Sequence, residues 1–234
     1  MSQAATDDFY DIRVFDDAVG PWLFERLVSA VRSVGDERLD VSYDTTFWFP
    51  RGLTARNIAE AAIERLIGLA LPPAEWIGAE WWLGRLTAGQ RLPFHFDRDL
   101  SLSRSTGEYV PPIYASILYL TSVPSSPTVI LGQIAGPDGK TRIPRRSKFR
   151  RPIDAVANRY VVFCGRLRHG VAATAPGADD AGRPRTGAPP AEDRLSLLVN
   201  YWHRRPRAPI CRDYDGSIYA SLRHNAPSAA LPAS

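Results

Sequence analysis

Residues 81–99 have the sequence WWLGRLTAGQRLPFHFDRD, and this stretch decides the fold. Aromatic and branched residues flank a polar, glycine-containing turn, which predicts two strands, 76–86 and 92–97. His95 and Asp97 are two residues apart on the second strand. Because a strand has a period of two, we expect both side chains on one face, with Phe94 and Phe96 on the other. An imidazole and a carboxylate would then converge on one point.

Similar patterns on either side extend the prediction to the whole chain. Strands are predicted at 113–121, 128–134, 160–164, 167–173 and 194–202, and an edge strand at 10–15. Two amphipathic helices come before most of them, one beginning at Pro21 and one running from Thr54 to about Leu69, with Thr54 as its N-cap. Helices followed by many strands predict an α+β fold. Two antiparallel sheets, in a sandwich or jelly roll, would have one sheet braced by the helices.

Composition indicates one globular domain. The 234 residues are 44% hydrophobic and 23% charged, which excludes a disordered or fibrous chain. We predict a single domain over residues 1–206 and a partly disordered C-terminal tail over 207–234. The segment 172–192 is rich in alanine, glycine and proline, which predicts a mobile surface loop.

Targeting signals and cysteines indicate the compartment. No run approaches the roughly 18 apolar residues of a membrane span, and the first twenty residues carry acids where a signal peptide would be basic and then apolar. The two cysteines, Cys164 and Cys211, cannot form a disulfide framework. These features predict a cytoplasmic protein.

The positive charge is concentrated in one segment. The chain carries a formal net charge of +4, and residues 140–151, KTRIPRRSKFRR, contain seven basic residues and no acid. This basicity is local, unlike the chain-wide excess of a dedicated nucleic-acid-binding protein. The segment could be a solvated loop or a surface that contacts an anionic partner, and the sequence is consistent with both.

A third candidate ligand, His169, lies on a different predicted strand in CGRLRHGV. A closed β architecture can bring such distant strands side by side. Two histidines and one carboxylate are the ligand set of non-haem Fe(II) oxygenases, which leave coordination positions open for cosubstrate and O₂. Zinc would prefer a closed four-ligand shell, and the sequence offers no evident fourth ligand.

A candidate anion site begins the last predicted strand, RLSLLVNYW. Arg194 and Ser196 share one face of this strand, and Leu195 between them points to the opposite face. Burying a guanidinium is costly unless it is paired, and its planar fork matches a carboxylate. No acid flanks Arg194 on its inward side, so we predict that its anion is a ligand.

Taken together, these motifs resemble the Fe(II)/2-oxoglutarate-dependent dioxygenases, in particular the prolyl-hydroxylase-like branch, over roughly residues 9–202. The likeness rests on IRVFDDAVGPWLFERL, on residues 81–99, on YASILYLTS followed by PTVIL, on RRPIDAVANRYVVFCGRLRHGV and on RLSLLVNYW. It implies a double-stranded β-helix, a cupin-like jelly roll. It further implies a catalytic Fe(II) held by His95, Asp97 and His169, with 2-oxoglutarate held by Arg194, Ser196 and Tyr119.

The resemblance also implies a reaction. Using O₂ and 2-oxoglutarate, the enzyme would hydroxylate an unactivated C–H bond of an amino acid, a peptidyl residue or a small natural product and release succinate and CO₂. The carboxylate of Asp97 favours hydroxylation, because related halogenases lack it. The substrate, a small molecule or a peptide, could be anionic. Four residues next to the motifs are candidate substrate contacts: Arg85, Arg98, Asp99 and Trp202.

Two alternatives stay open at this point. HFDRD also resembles the oxidative demethylases of alkylated nucleobases, although the net charge is modest and the second arginine of that branch is missing. A jelly-roll module that binds a metal or ligand without turnover is the non-enzyme alternative.

Overall fold

The structure, a computed structural model, describes residues 11–41, 45–172 and 192–225. Most of the predicted loop, residues 173–191, therefore lies outside the described residues, as do residues 226–234 of the predicted tail. The described helices are α1 Pro21–Arg32, α2 Asp36–Val41, α3 Ile58–Ala70, α4 Leu100–Thr106 and a 3₁₀ helix, Ala220–Asn225. In this described part, no helix combines the length and the apolar character needed to cross a membrane.

Twelve strands are present among the described residues. They are β1 Ile12–Phe15, β2 Thr46–Pro50, β3 Gly78–Leu86, β4 Leu92–His95, β5 Tyr114–Tyr119, β6 Val123–Ala135, β7 Arg142–Ile143, β8 Arg150–Ala155, β9 Tyr160–Cys164, β10 Leu167–Val171, β11 Arg194–Trp202 and β12 Cys211–Asp213. All the predicted strands are found. The sequence analysis missed β2, β7, β8 and β12.

The beginnings of the two long helices have different causes. Proline occupies the first turn of α1, where its fixed φ and missing N–H cost nothing, as predicted. The predicted cap of α3 at Thr54 is wrong, because Asn57 is the N-cap and its side-chain oxygen accepts a 3.0 Å hydrogen bond from the backbone N–H of Glu60. The helix therefore begins three residues later than the predicted cap implied.

The strands form two sheets. A seven-stranded major sheet has the order β1-β9-β5-β11-β3-β2-β12, and a minor sheet has the order β4-β10-β6-β7, with β8 also paired to β6. Along the chain, β3, β4, β5 and β6 alternate between the two sheets, and so do β8 to β11. This interleaving of antiparallel strands is a double-stranded β-helix, so the predicted jelly roll is confirmed.

Two apolar layers hold the sheets and helices together. One lies between the outer face of the major sheet and helices α1 and α3, and the other lies between the two sheets. Strand β11 shows the division most clearly, since Leu195, Leu197 and Val199 pack in the helix-side layer. Its alternate residues, from Arg194 to Asn200, face the space between the sheets, as the strand period predicted.

Several described residues beyond Pro206 belong to the same core, among them Tyr214, Tyr219 and Leu222. Strand β12 pairs in parallel with β2. Tyr214 and Tyr219 are buried, and their rings contact Phe47 at centroid distances of 5.3 and 5.5 Å. Residues 207–225 therefore extend the packed structure past the predicted domain boundary at residue 206.

Candidate metal centre and cosubstrate cavity

The two candidate histidine ligands lie directly opposite each other in the minor sheet. His95 on β4 and His169 on β10 are register partners of an antiparallel pair. Directly opposed side chains project on the same face of a sheet, and the two ring centroids are 4.5 Å apart. Two histidines that are distant in sequence therefore reach one point through strand pairing alone.

Asp97 completes a three-residue cluster from outside the sheet. One of its carboxylate oxygens, Oδ1, lies 3.5 Å from Nε2 of His95 and 3.7 Å from Nε2 of His169. The three donor atoms all lie within 4.8 Å of one another. The predicted strand through Asp97 is wrong, because β4 ends at His95 and the chain then turns towards Asp99, the N-cap of α4. The carboxylate reaches the cluster from this turn.

Backbone carbonyls fix the orientation of both imidazoles. Nδ1 of His95 lies 2.9 Å from the carbonyl oxygen of Pro93, and Nδ1 of His169 lies 3.0 Å from that of Leu167. A carbonyl can only accept, so Nδ1 carries the proton in each ring. The lone pair of each Nε2 is then directed towards Asp97, which is the arrangement of metal-binding histidines.

The electrostatics of the cluster favour a bound cation. Burial opposes ionisation of Asp97, but the neighbouring His169 and His95 outweigh it and lower the pKa of Asp97 to about 2. Burial lowers the pKa of His169. For His95 burial acts in the same direction, yet the Asp97 carboxylate would accept a hydrogen bond from the protonated ring, which gives a net rise in the pKa of His95. At neutral pH the cluster therefore presents an ionised carboxylate and a neutral His169.

Asn200 holds the second oxygen of the carboxylate. Its side-chain N–H donates a 3.2 Å hydrogen bond to Oδ2 of Asp97, and the residue is 4% exposed. This leaves Oδ1 directed at the two histidines. Strand alternation placed Asn200 on the inward face of β11. The sequence did not indicate this contact, because Asp97 lies in the segment between β4 and α4, far away along the chain.

A cavity of about 260 Å³ opens beside the cluster, between the two sheets. His95, Asp97 and His169 line one part of it, and Arg194 and Ser196 line another. Most of its remaining wall is apolar. Both predicted groups of residues therefore border a single cavity.

Arg194 is buried at the edge of this cavity, with only 4% exposure. Its guanidinium donates to the carbonyl oxygen of Ser126 at 2.9 Å and to Oγ1 of Thr128 at 2.8 Å. The charged group also lies 5.0 Å from the centre of the Tyr119 ring, in cation–π contact. These contacts hold the guanidinium in one orientation.

Tyr119 supports this end of the cavity from behind. It is fully buried, is not among the residues that line the cavity, and its hydroxyl donates to Oγ1 of Thr128 at 2.7 Å. Thr128 lines the cavity and accepts from both Tyr119 and Arg194. Its own hydroxyl proton is consequently left to donate elsewhere. Sequence reasoning missed Thr128, which lies between Tyr119 and the cavity.

Three of the four candidate substrate residues have structural roles. Arg85 lies on the face of β3 away from the cavity and forms salt bridges of 2.6 to 3.2 Å with Asp36, Asp40 and Asp193, which hold α2 against the sheet. Strand alternation placed it there, and its inward neighbours Gly84 and Leu86 line the cavity instead. The prediction for Arg85 is therefore corrected.

The corrections for Asp99 and Trp202 have separate reasons. Asp99 is 2% exposed, and its carboxylate accepts from the backbone N–H groups of Leu102 and Arg207. Trp202 is fully buried in a small apolar cluster with Trp48 and Cys211. Arg98 is half-buried next to Asp97 and outside the residues that line the cavity. Trp82, on the inward face of β3, does line it.

No protein-family model and no curated protein matches the chain. Among solved structures it is similar to a Pseudomonas putida prolyl-4-hydroxylase, with 15% identity, a TM-score of 0.46 and coverage of 86% of this chain and 93% of that one. It is also similar to HygX from Streptomyces hygroscopicus with nickel and 2-oxoglutarate bound, with 18% identity, a TM-score of 0.47 and coverage of 86% and 85%. A third is the non-haem alpha-ketoglutarate-dependent epimerase SnoN from nogalamycin biosynthesis, with 13% identity, a TM-score of 0.49 and coverage of 85% and 81%.

Proposed function

We propose that the chain is an Fe(II)- and 2-oxoglutarate-dependent dioxygenase that hydroxylates a C–H bond of an amino acid, a peptidyl residue or a small natural product. One observation carries the proposal. The converging donor atoms of His95, Asp97 and His169 and the buried guanidinium of Arg194 border the same cavity. A cation site and an anion site in one cavity fit a cosubstrate that chelates a metal at one end and presents a carboxylate at the other.

The donor set fits ferrous iron. Two imidazole nitrogens and one carboxylate oxygen form the facial ligand set of non-haem Fe(II) enzymes. Among the described residues, this is the one group of three or more such side chains close enough to share an ion. Three protein ligands leave further coordination positions for other groups, whereas a structural zinc site would be closed by a fourth.

The other end of the cavity fits the distal carboxylate of 2-oxoglutarate. Arg194 provides positive charge, and its fixed orientation favours a bidentate contact with a carboxylate. Ser196 lines the same wall, two residues along β11. The hydroxyl of Thr128 is free to donate, since it already accepts from Tyr119 and Arg194. These three donors would neutralise and orient the cosubstrate.

When bound, Fe(II) and 2-oxoglutarate supply the chemistry that inserts one oxygen atom of O₂ into a C–H bond, with release of succinate and CO₂. The chain's own residues orient the substrate and exclude water. The apolar wall and Trp82 limit the access of water to the cavity and leave room for a small aliphatic group beside the metal site. Asp97 occupies the third ligand position, which favours hydroxylation. Arg98 remains the candidate contact for a substrate anion.

Anaerobic addition of Fe(II) and 2-oxoglutarate to the purified protein tests this proposal. We expect a visible metal-to-ligand charge-transfer band in the wild type and none in His95→Ala. His203→Ala is the matched control, because His203 is exposed and lies outside the cluster, and its band should be unchanged. Absence of the band from the wild type, or its persistence in His95→Ala, would overturn the assignment. Succinate release in a screen of amino acids, peptides and small natural products then identifies the substrate.

A further inference from the structure

The basic segment 140–151 is fixed along the edge of the minor sheet, where β7 and β8 both pair with β6. Gln133 donates from its side-chain amide to the backbone carbonyl oxygens of Pro144 and Arg145, at 3.1 and 2.9 Å. Backbone hydrogen bonds join Gly132 to Phe149 and Lys148. A Cβ at position 132 would lie 2.7 Å from the Phe149 ring, so glycine permits this close approach. The segment is a fixed part of the fold and does not behave as a solvated loop.

Strand register brings a further arginine to this face. Arg168, Leu131 and Arg150 are successive partners across β10, β6 and β8, so their side chains share one face of the sheet. The adjacent row contains His169 and Ile130, which face the cavity and the inner core. Because neighbouring residues alternate between faces, the row with Arg168 points away from the cavity.

We define the basic face as Arg142, Arg145, Arg146, Arg150 and Arg168. None of the five forms a salt bridge with a carboxylate of a described residue. The pKa of Arg168 is lowered, first by burial and then by the positive charge of Arg142. Asp138, in the nearby hairpin, accepts hydrogen bonds from Lys140 and Thr141 of that hairpin. The like charges of the basic face are therefore held together without a compensating acid in the described structure.

Protection of an edge strand accounts for only part of this arrangement. Charged residues and proline on a strand such as β8 discourage unwanted pairing with another chain, and Arg150 and Pro152 suffice for that. Edge protection does not account for the half-buried Arg168 on a central strand, nor for the hydrogen bonds that hold the backbone of residues 144–149. Keeping positive charges close together costs free energy, which an external anion would recover.

We propose that the basic face is a docking surface for an acidic segment of a polypeptide, separate from the cavity. The guanidinium fork binds carboxylates with two parallel hydrogen bonds, and a fixed surface loses little conformational entropy on binding.

The same observations disfavour a nucleic-acid strand. Single-stranded nucleic acid is bound by basic grooves combined with aromatic side chains on which bases stack. Of the large apolar side chains exposed in the described part of the chain, Trp22 alone is aromatic, and it lies on α1, which packs on the other sheet. Phe94 lies on the basic face, but the Arg168 guanidinium already lies over its ring, 5.4 Å from the centroid. The basic face thus offers charge, and its aromatic ring is already engaged by an arginine.

Fluorescence anisotropy tests the docking surface. The probes are a fluorescein-labelled dodecapeptide of Glu, Asp and Leu, a matched peptide with Gln and Asn in place of the acids, and a labelled dodecathymidine. We expect the wild type to bind the acidic peptide at least about tenfold more tightly than the amide peptide, with affinity that falls as NaCl rises. Arg145→Glu combined with Arg146→Glu should weaken this binding about tenfold or more.

Arg38→Glu combined with Arg65→Glu is the matched control, because it makes the same charge change at exposed positions on α2 and α3. It should leave peptide binding within about twofold of wild type. Equal binding of the acidic and amide peptides, an unchanged affinity in the Arg145/Arg146 variant, or tighter binding of dodecathymidine would each refute the proposal. The charge-transfer band is measured in the same variants. Its absence from every form would reject the proposed oxygenase and leave the docking result standing.

Discussion

The two ends of the cavity are built in different ways. At the metal end, the ligands come from two paired strands and a turn, and the His95 side chain is 39% exposed. At the arginine end, Arg194, Thr128 and Tyr119 are all buried and joined by hydrogen bonds. The metal end is therefore the more accessible of the two, whereas the arginine end is enclosed by the protein's own hydrogen bonds. This difference predicts how each end responds to substitution.

The largest effect is expected at the metal end. His169→Ala removes one of three ligands and leaves no neighbouring donor among the described residues to replace it. We expect the affinity for Mn²⁺ or Fe²⁺, measured by competition with a chelator, to fall by at least about 100-fold. The melting temperature of the metal-free protein should change little by comparison, because the ligands do not hold the two sheets together. A large loss of metal-free stability would show that the cluster is structural.

Arg194→Gln should have the next largest effect, and it should separate the two ends. The substitution removes the charge that faces the cosubstrate, and truncating a buried charged partner costs about 2–5 kcal/mol. We expect 2-oxoglutarate affinity, measured on the metal-loaded protein by titration of the charge-transfer band, to fall at least about 30-fold. Metal affinity without 2-oxoglutarate should stay within about twofold of wild type. A parallel loss of metal affinity would show that the two ends are not independent.

Asn200→Ala tests whether the metal end also relies on positioning by the protein. Without the hydrogen bond to Oδ2, the Asp97 carboxylate is free to rotate. We expect metal affinity to fall about tenfold, the lower range for loss of a group that orients a ligand. Asn200→Gln or Asn200→Ser should restore part of the loss if donation to Asp97 is the cause. Wild-type affinity in Asn200→Ala would show that the contact is incidental.

The sequence predicted the ends of the cavity unequally, for a physical reason. Strand period and residue type were enough to select His95, His169 and Arg194, because ligands and buried charges are chemically distinctive. Asn200 and Thr128 are ordinary polar residues within strands, and their importance comes from partners on other elements. The alternating patterns predicted two antiparallel sheets, and the family resemblance selected the jelly roll. The short strands β7 and β8 were not predicted, because their pairing with β6 is set by tertiary contacts. The role of Arg85 was mistaken for the same reason, since its acidic partners lie on α2 and before β11.

Tyr119 gives the smallest predicted effect. A tyrosine that contacted 2-oxoglutarate directly would make Tyr119→Phe more damaging than Thr128→Val. The structure places Thr128 between Tyr119 and the cavity, so the order should be reversed. Tyr119→Phe removes one neutral hydrogen bond and should weaken 2-oxoglutarate binding by no more than about fivefold. Thr128→Val removes a cavity donor and leaves Arg194 and Tyr119 without their shared acceptor, so its loss should be larger in the same titration. Valine is nearly isosteric with threonine, so Thr128→Val removes the hydroxyl with little change in packing. A larger loss in Tyr119→Phe than in Thr128→Val would show that Tyr119 contacts 2-oxoglutarate directly.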